Sequence, residues 1–310
     1  MHQILPEARI LPDSGADGTQ GAIARDTAAS SLSGMGCRVR DGGEIVAGMG
    51  SEFRGEVAEF YHQYRHGYPS AVIDALAEVF GLGARDVVVD LGCGTGLLTL
   101  ALAGRVGAVL GMDPEPDMLG RARQAADEAG AGNVSWMLGA DSDLPALRGL
   151  LGDGSVAVVT IAQALHWMRH EEVFAASVPL VRRGGGVAVV TNGTPLWLAD
   201  TGWSRALRGF LERWLGVTLT YACGTDEQSQ QRYRHALAAA GFDVVTKEFD
   251  YVADLDLSQV VGGVYSAMSA DHLPVADRRQ AFTEELRQAL GGDGPFSEAV
   301  HVAIVAGRLP

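Results

Sequence analysis

Cysteine is scarce in this chain of 310 residues, which contains only Cys37, Cys93 and Cys223. Three widely spaced cysteines form neither a disulfide framework nor a zinc pattern, so we expect no metal site and a reducing, cytoplasmic compartment. Long apolar runs are also lacking, because charged residues divide the most hydrophobic region before it reaches membrane-spanning length. The first residues lack the basic segment and apolar core of a secretory signal, so we expect neither a membrane location nor export.

Positive charge is scarce as well, with 24 Lys and Arg against 38 Asp and Glu and a formal net charge of -14. Nucleic-acid binding normally needs a basic face, and the arginine pairs at 182–183 and 278–279 are too isolated to form one. We therefore expect no nucleic-acid partner. An acidic surface favours solubility and is compatible with a neutral or cationic small substrate.

Residues 1–50 lack any sustained periodicity and are rich in Gly, Ala, Ser and Asp. This composition predicts a mostly disordered N-terminal extension. The pattern changes near Phe53, where the segment FRGEVAEFYHQYRHGYP brings several aromatic and basic residues together. Such a cluster is typical either of aromatics that cover a sheet edge or of a lid over a ligand.

The stretch from Val87 to Leu102 predicts a cofactor-binding element. Branched apolar residues form a short buried strand, and glycines follow at positions 92, 94 and 96 before a run of helix formers begins. Glycine lets a ligand approach the backbone, and the helix N-terminus adds unpaired N–H groups. A plain tight turn between strand and helix is the alternative. The spacing GxGxG departs from the GxGxxG of dinucleotide-binding turns.

Four further apolar segments alternate with helical patterns after this turn, and they predict a parallel, doubly wound sheet that binds ligands at the carboxyl ends of its strands. The second strand ends at Asp113, about twenty residues beyond the first glycine, where an acidic residue can accept hydrogen bonds from ribose hydroxyls. Asp113 could equally cap the helix that follows.

The motifs VVDLGCGTG, GMDPEPDML, GADSDLP, QALHWM and RRGGGVAVV occur in this order, and together they resemble the class I S-adenosylmethionine-dependent methyltransferases. The chain is similar to the small-molecule branch, which includes ubiquinone/menaquinone and trans-aconitate methyltransferases and antibiotic-tailoring enzymes. The resemblance implies an α/β, Rossmann-like sheet of seven strands, mostly parallel, with one antiparallel strand inserted beside the fifth. It also implies helical lid insertions.

The resemblance also implies a division of residues 51–310, taken as one methyltransferase domain. Residues 51–82 would form an N-terminal lid and helices, and residues 83–192 the cofactor-binding half. Residues 193–240 and 253–296 would be helical insertions that cap the substrate.

The cofactor implied by the resemblance is S-adenosylmethionine, with S-adenosylhomocysteine as its product. Gly92, Cys93 and Gly94 would lie against its methionine part, with Asp90 close to the ammonium group. Asp113 would hold the ribose.

The adenine would be held by residues further along the chain. Met118 or Met112 would pack on the ring, and Asp141 would accept from its amino group. Ala140 and Ser142 would offer backbone contacts.

The lid and the fourth strand would complete the site. Tyr64 and Arg65 resemble the family's N-terminal segment that closes over the cofactor, and Gln163 follows the fourth strand, where cofactor and acceptor meet. His166 is the first candidate for a general base, because histidine titrates near neutral pH. A structural histidine beside Trp167 is the equal alternative.

Acceptor contacts are predicted for Tyr61, Trp167 and Tyr265. The aromatic residues at 197, 203, 214 and 221 could line an apolar acceptor site, although aromatics at helical spacing are more often core.

The sequence thus predicts a methyltransferase for a small molecule, in specialised, antibiotic-type metabolism, with N-methylation of an amino sugar as one hypothesis. The alternatives are O- or C-methylation of an aromatic or isoprenoid acceptor, and a non-catalytic module that only binds the cofactor. We expect a monomer or homodimer.

Overall fold

A computed structural model describes residues 53–220 and 222–310. The predicted disorder of residues 1–50 and the suggested role of Tyr221 lie outside the described residues. Within this part of the chain, no helix is long and apolar enough to cross a membrane.

A seven-stranded sheet with the order β3-β2-β1-β4-β5-β7-β6 forms the centre of the molecule. The first five strands are parallel, and β7 runs antiparallel between β5 and β6. The predicted fold class is therefore confirmed. The strands are β1 Val87–Leu91, β2 Ala108–Asp113, β3 Val134–Leu138, β4 Val156–Ala162, β5 Val181–Asn192, β6 Asp243–Leu255 and β7 Phe296–Arg308.

Ten α-helices lie in the described part of the chain, and most of them cover the two faces of the sheet. They are α1 Glu56–Tyr64, α2 Ser70–Phe80, α3 Leu97–Ala103, α4 Pro116–Ala129, α5 Leu144–Leu151, α6 His170–Ser177, α7 Gly202–Leu215, α8 Glu227–Ala239, α9 Leu257–Tyr265 and α10 Arg279–Leu290.

Two apolar layers form the core, one on each face of the sheet. One layer joins side chains of α2, α7, α9 and α10, with Leu76 and Phe282 among its fully buried members. The other joins α5, α6 and α8 and includes Leu147 and Phe174. Because helices bury both faces, the central strands are apolar on both sides, as their sequences predict.

Two element boundaries bear on the predicted insertions. Helix α8 begins at Glu227, because the side chain of Asp226 caps it by accepting from the backbone N–H of Ser229. Strand β6 ends at Leu255 and β7 begins at Phe296. The predicted helical insertion 253–296 therefore includes the last residues of β6 and the first residue of β7.

Candidate active site

The glycine turn, defined as residues 92–96, follows β1 with positive φ angles of 69° at Gly92, 55° at Gly94 and 84° at Gly96. A Cβ on Gly92 would lie 2.6 Å from the Cβ of Ala164, and one on Gly96 would lie 2.7 Å from the ring of Trp136. A Cβ on Gly94 would meet nothing nearer than Tyr61, at 3.9 Å. The lack of a side chain at Gly92 and Gly96 thus allows Ala164 and Trp136 to pack closely on the turn, whereas Gly94 faces open space.

Asp113 lies directly beside this turn. Its Oδ2 accepts from the backbone N–H of Gly94 at 2.8 Å, and its Oδ1 accepts from that of Glu115 at 2.9 Å. The side chain is buried, and burial raises its pKa to about 6 despite these two bonds. Each carboxylate oxygen can accept a further hydrogen bond, so Asp113 can cap the turn and still bind a hydroxyl pair.

Asp90 is more deeply buried than predicted for a residue near a ligand's ammonium group, with 1% of its surface exposed. Its two oxygens accept from the hydroxyls of Thr99 at 2.5 Å and Thr160 at 2.7 Å. Burial raises its pKa to about 6. These bonds tie β1 to the first turn of α3 and to β4, so Asp90 also holds the glycine turn in place.

The predicted adenine-side residues follow the neighbouring strands. Met118 is buried on α4, and Met112 is fully buried in the core beneath Gly139, which makes it a poor partner for a ligand. Ala140 precedes a short 3₁₀ helix, Asp141–Asp143, and its N–H donates to the side chain of Asp143 at 2.9 Å.

The cysteine of the turn is a buried thiol rather than a reactive one. Cys93 is 9% exposed, and burial raises its pKa well above the ordinary value. The ring of Trp136 lies nearby, against Gly111 as well as Gly96, and supports the turn from β3. This role of Trp136 was not predicted from the sequence.

The end of α1, where a lid is predicted, lies beside the turn, with Tyr61 3.9 Å from an ideal Cβ on Gly94, and we keep the name lid for this segment. The guanidinium of Arg65 lies 5.2 Å from the ring centre of Tyr61, and its Nε donates to the hydroxyl of Ser266 at 2.9 Å. The ring of Tyr64 packs directly on Gly262 of α9. The lid residues are therefore held by contacts with the second helical insertion.

A cavity of about 330 Å³ lies between this lid and the carboxyl ends of β4 and β5. We call it the aromatic cavity. Residues from several segments line it, among them Tyr61, Tyr64, Arg65, His66 and Tyr68 from the lid, Gln163, His166 and Trp167 after β4, Asn192 and Trp197 at and after β5, and Tyr251 and Glu298 from β6 and β7.

The residues after β4 have a constrained geometry. Gln163 has a positive φ of 53°, and its side-chain N–H donates to the carbonyl of Asn192 at 2.9 Å. Positive φ in a residue other than glycine costs energy and often marks a functional site. Its Oε1 is buried with no hydrogen-bond partner among the described residues, so it can accept from a ligand.

His166 lines the cavity next to Trp167, with ring centres 5.2 Å apart. Burial, followed by the charge of Arg65, lowers its pKa to about 3. The imidazole is neutral at physiological pH and is a weak base. Its assignment as general base remains a prediction.

Several predicted acceptor contacts lie elsewhere. Tyr265 is 3% exposed and packs between Phe60 and Phe282 in the core, so the structure does not bring it to the cavity. Trp203 and Trp214 pack on α7 against Phe296 and Phe282, respectively. Tyr61, Trp167 and Trp197 do line the cavity.

Two polar residues of the cavity were missed by the sequence analysis. Glu298 is buried, and burial raises its pKa to about 7 while the charge of Arg65 lowers it. The Tyr251 hydroxyl donates to Asn192 Oδ1 at 3.2 Å. The alternation of β7 was the signal for Glu298, because it occupies an inward position between Phe296 and Val300.

The residues of the turn fit the cofactor implied by the sequence. Gly94 leaves space that a Cβ would fill, Asp113 has acceptor capacity for a ribose, and the buried hydroxyl of Thr95 has no hydrogen-bond partner in the described part of the chain. Buried polar groups normally have a hydrogen-bond partner, and a bound ligand can supply one.

The known sequences to which this chain is similar include several methyltransferases. A family model described as a methyltransferase domain matches residues 88–185. Uncharacterized methyltransferases of Mycobacterium bovis and Mycobacterium tuberculosis are 33% identical over 159 residues, which is 51% of this chain and 58% of each relative. A Saccharomyces cerevisiae protein named as a probable S-adenosylmethionine-dependent methyltransferase is 30% identical over 129 residues, 41% of this chain and 43% of that protein. The chain thus matches about half of the length of these relatives.

Comparison with solved structures supports the fold. A protein of Anaeromyxobacter dehalogenans, assigned as a type II methyltransferase, superposes with a TM-score of 0.54 and 24% sequence identity. The superposition covers 80% of this chain and 99% of that chain.

Proposed function

We propose that this chain is a class I S-adenosylmethionine-dependent methyltransferase that transfers a methyl group from this cofactor to a small molecule in the aromatic cavity. The domain match over residues 88–185 and the seven-stranded fold support this proposal.

The observation that carries this proposal is the position of Tyr61, which lies between the open side of the glycine turn and the aromatic cavity. Its ring is the nearest neighbour of the open side of Gly94, and the same side chain lines the aromatic cavity. A cofactor lying on the glycine turn would therefore be next to a molecule bound in the aromatic cavity. A donor site and an acceptor site that share one wall are what direct group transfer requires.

The chain's own residues have a limited chemical task. Bound S-adenosylmethionine supplies a methyl group on a positively charged sulfur, which is already activated for transfer. Gly94 and Asp113 would hold the cofactor, and Phe53, Tyr61 and Trp167 would exclude water. Phe53 packs edge-on against the other two rings, with centres 6.0 Å and 6.1 Å apart, and so joins the lid to the segment after β4.

For the acceptor, we propose two candidate classes. N-methylation of an amino sugar in antibiotic-type metabolism is supported by the acidic chain and by the polar groups of the cavity. O- or C-methylation of an aromatic or isoprenoid acceptor is the second candidate, favoured by the aromatic walls formed by Tyr68, Trp167 and Trp197. We also propose action in the cytoplasm, supported by the sparse cysteines, as a monomer or homodimer.

Cofactor binding is tested by calorimetric titration of S-adenosylhomocysteine into the wild type and Asp113→Ala. We expect the variant to lose about tenfold or more in affinity, because it lacks the acceptor for two hydroxyls. Asp127→Ala, on the exposed surface of α4, is the matched control and should bind as the wild type. Equal binding by Asp113→Ala would remove this residue from the site.

Catalysis is tested by mass spectrometry of acceptor panels that contain amino sugars, phenols, carboxylates and isoprenoids. Gain of one methylene mass identifies the acceptor class, and gain on amino sugars supports the first candidate. Cofactor binding with no methylation of any compound would favour the non-catalytic module. His166→Ala should lower turnover more than cofactor affinity, and unchanged turnover would exclude His166 as a base.

A further inference from the structure

Glu298 is an acidic residue on an otherwise apolar strand face. The inward-facing neighbours along β7 are Phe296, Val300 and Val302, all of which belong to the core layer. Glu298 is 6% exposed. Burying a carboxyl group among apolar neighbours is costly, so its presence needs a compensating partner.

The protein provides little of that compensation. Oε2 of Glu298 has no hydrogen-bond partner among the described residues. An ideal Cβ on Gly193 would lie 3.6 Å from Oε1, which places the carboxyl group over the end of β5 at the cavity wall. The absence of a side chain at Gly193 leaves room for this placement.

The charged and titratable groups around Glu298 leave it available. Arg65 is the cation that acts on it, but its guanidinium already binds Ser266 and lies on the ring of Tyr61. Tyr251, on the neighbouring strand, directs its hydroxyl to Asn192.

The remaining walls of the cavity suit an organic cation. The rings of Tyr61, Tyr68, Trp167 and Trp197 line it, and aromatic faces attract cationic nitrogen. Burial lowers the pKa of both cavity histidines, so neither carries a positive charge that would repel such a ligand at neutral pH. Carboxylate and aromatic walls together are the chemistry that recognises an ammonium group.

We propose that Glu298 recognises an amino group of the acceptor, with Oε2 accepting a charge-assisted hydrogen bond from the nitrogen, so that the acceptor class is an amine. This inference rests on the proposed function, because it concerns the acceptor side of the same site. It gives the cavity a preference for amines over alcohols and excludes carboxylates, which the buried acidic group would repel.

The test uses benzylamine, benzyl alcohol and benzoate, which share one ring and differ in the polar group. Calorimetric titration measures their binding to the full chain saturated with S-adenosylhomocysteine. Glu298→Gln keeps the shape and removes the charge, Glu298→Asp keeps the charge, and Glu248→Gln makes the same amide change on the exposed surface of β6.

We expect the wild type to bind benzylamine most tightly, and Glu298→Gln to weaken benzylamine by about tenfold while changing benzyl alcohol by less than about threefold. Glu298→Asp should keep the preference for the amine, and Glu248→Gln should bind all three probes as the wild type does. Lack of benzylamine binding to the wild type, or equal binding by Glu298→Gln, would overturn the inference.

The affinity for S-adenosylhomocysteine, measured on the same samples, separates this inference from the proposed function. Failure of the wild type to bind it would contradict the proposed function. Equal cofactor binding by the wild type and Glu298→Gln, without any effect on benzylamine, would contradict only the role of Glu298.

Discussion

Replacing Gly94 with alanine tests whether the open side of the glycine turn is the place where the cofactor lies. The position has a φ of 55°, so alanine costs about 1 kcal/mol of stability through the left-handed backbone. Among the described residues no atom opposes the new methyl group, since the nearest is Tyr61 Cε1 at 3.9 Å. The variant should therefore fold, with a melting temperature about 2–4 °C lower.

The new methyl group would occupy space that the ligand needs. Overlap of one methyl group in a close-packed site costs about 1–3 kcal/mol, so the affinity for S-adenosylhomocysteine should fall by about tenfold or more. Calorimetric titration measures the affinity, and thermal unfolding followed by circular dichroism measures the stability.

Gly130→Ala is the matched control for this prediction. Gly130 caps α4 with a φ of 64° and has nothing within 4 Å of an ideal Cβ. It should lose the same stability and bind the ligand as the wild type does. Wild-type affinity in Gly94→Ala, or an equal loss of affinity in Gly130→Ala, would refute the placement of the cofactor on the turn.

Three further predictions concern buried polar groups. The pKa of about 6 at Asp113 means that its carboxylate is protonated as pH falls below that value, so calorimetry should show S-adenosylhomocysteine affinity falling there in the wild type. Asp113→Asn should lack that fall, and an identical profile would contradict the role. Thr160→Val removes a donor to buried Asp90 and should cost about 1–3 kcal/mol in urea unfolding, whereas unchanged stability would argue against this bond. The folded pKa of Glu298, about 7, exceeds its ordinary value of 4.5, so its stabilising contribution is present at low pH and is lost as pH rises through 7. Glu298→Gln should therefore gain about 1–3 kcal/mol over the wild type between about pH 4.5 and pH 8, and a gap that stays constant with pH would contradict the shift.

The contact between the glycine turn and Asp113 could be predicted because its signals are local in sequence. Gly94 and Asp113 belong to one strand-turn-helix-strand unit, and their spacing follows from the geometry of that unit. The parallel, doubly wound sheet could also be predicted, because apolar segments that alternate with helices leave few topologies. The place of the antiparallel strand was implied only by the family resemblance. The depth of Asp90 was missed, because the threonines that bind it come from α3 and β4.

The acceptor side could be predicted only in part, because distant segments build it. Tyr265 is placed correctly on a helix by its pattern, but α9 buries this side chain against Phe60 and Phe282, and spacing alone cannot tell which neighbours a buried ring has. Glu298 alternates with the apolar residues Phe296 and Val300 along β7, but this alternation does not show which inward position faces a cavity. The role proposed for Glu298 depends on the aromatic cavity beside it.

The position of β7 has a consequence for synthesis of the protein on the ribosome. This strand pairs with β5 through residues more than a hundred positions apart, such as Gly186 with Arg308. The five parallel strands and the glycine turn are translated before β7. Glu298 and Val300 line the aromatic cavity in the strand that lies between β5 and β6. The residues of the glycine turn are therefore made well before the strand that completes the wall of the cavity.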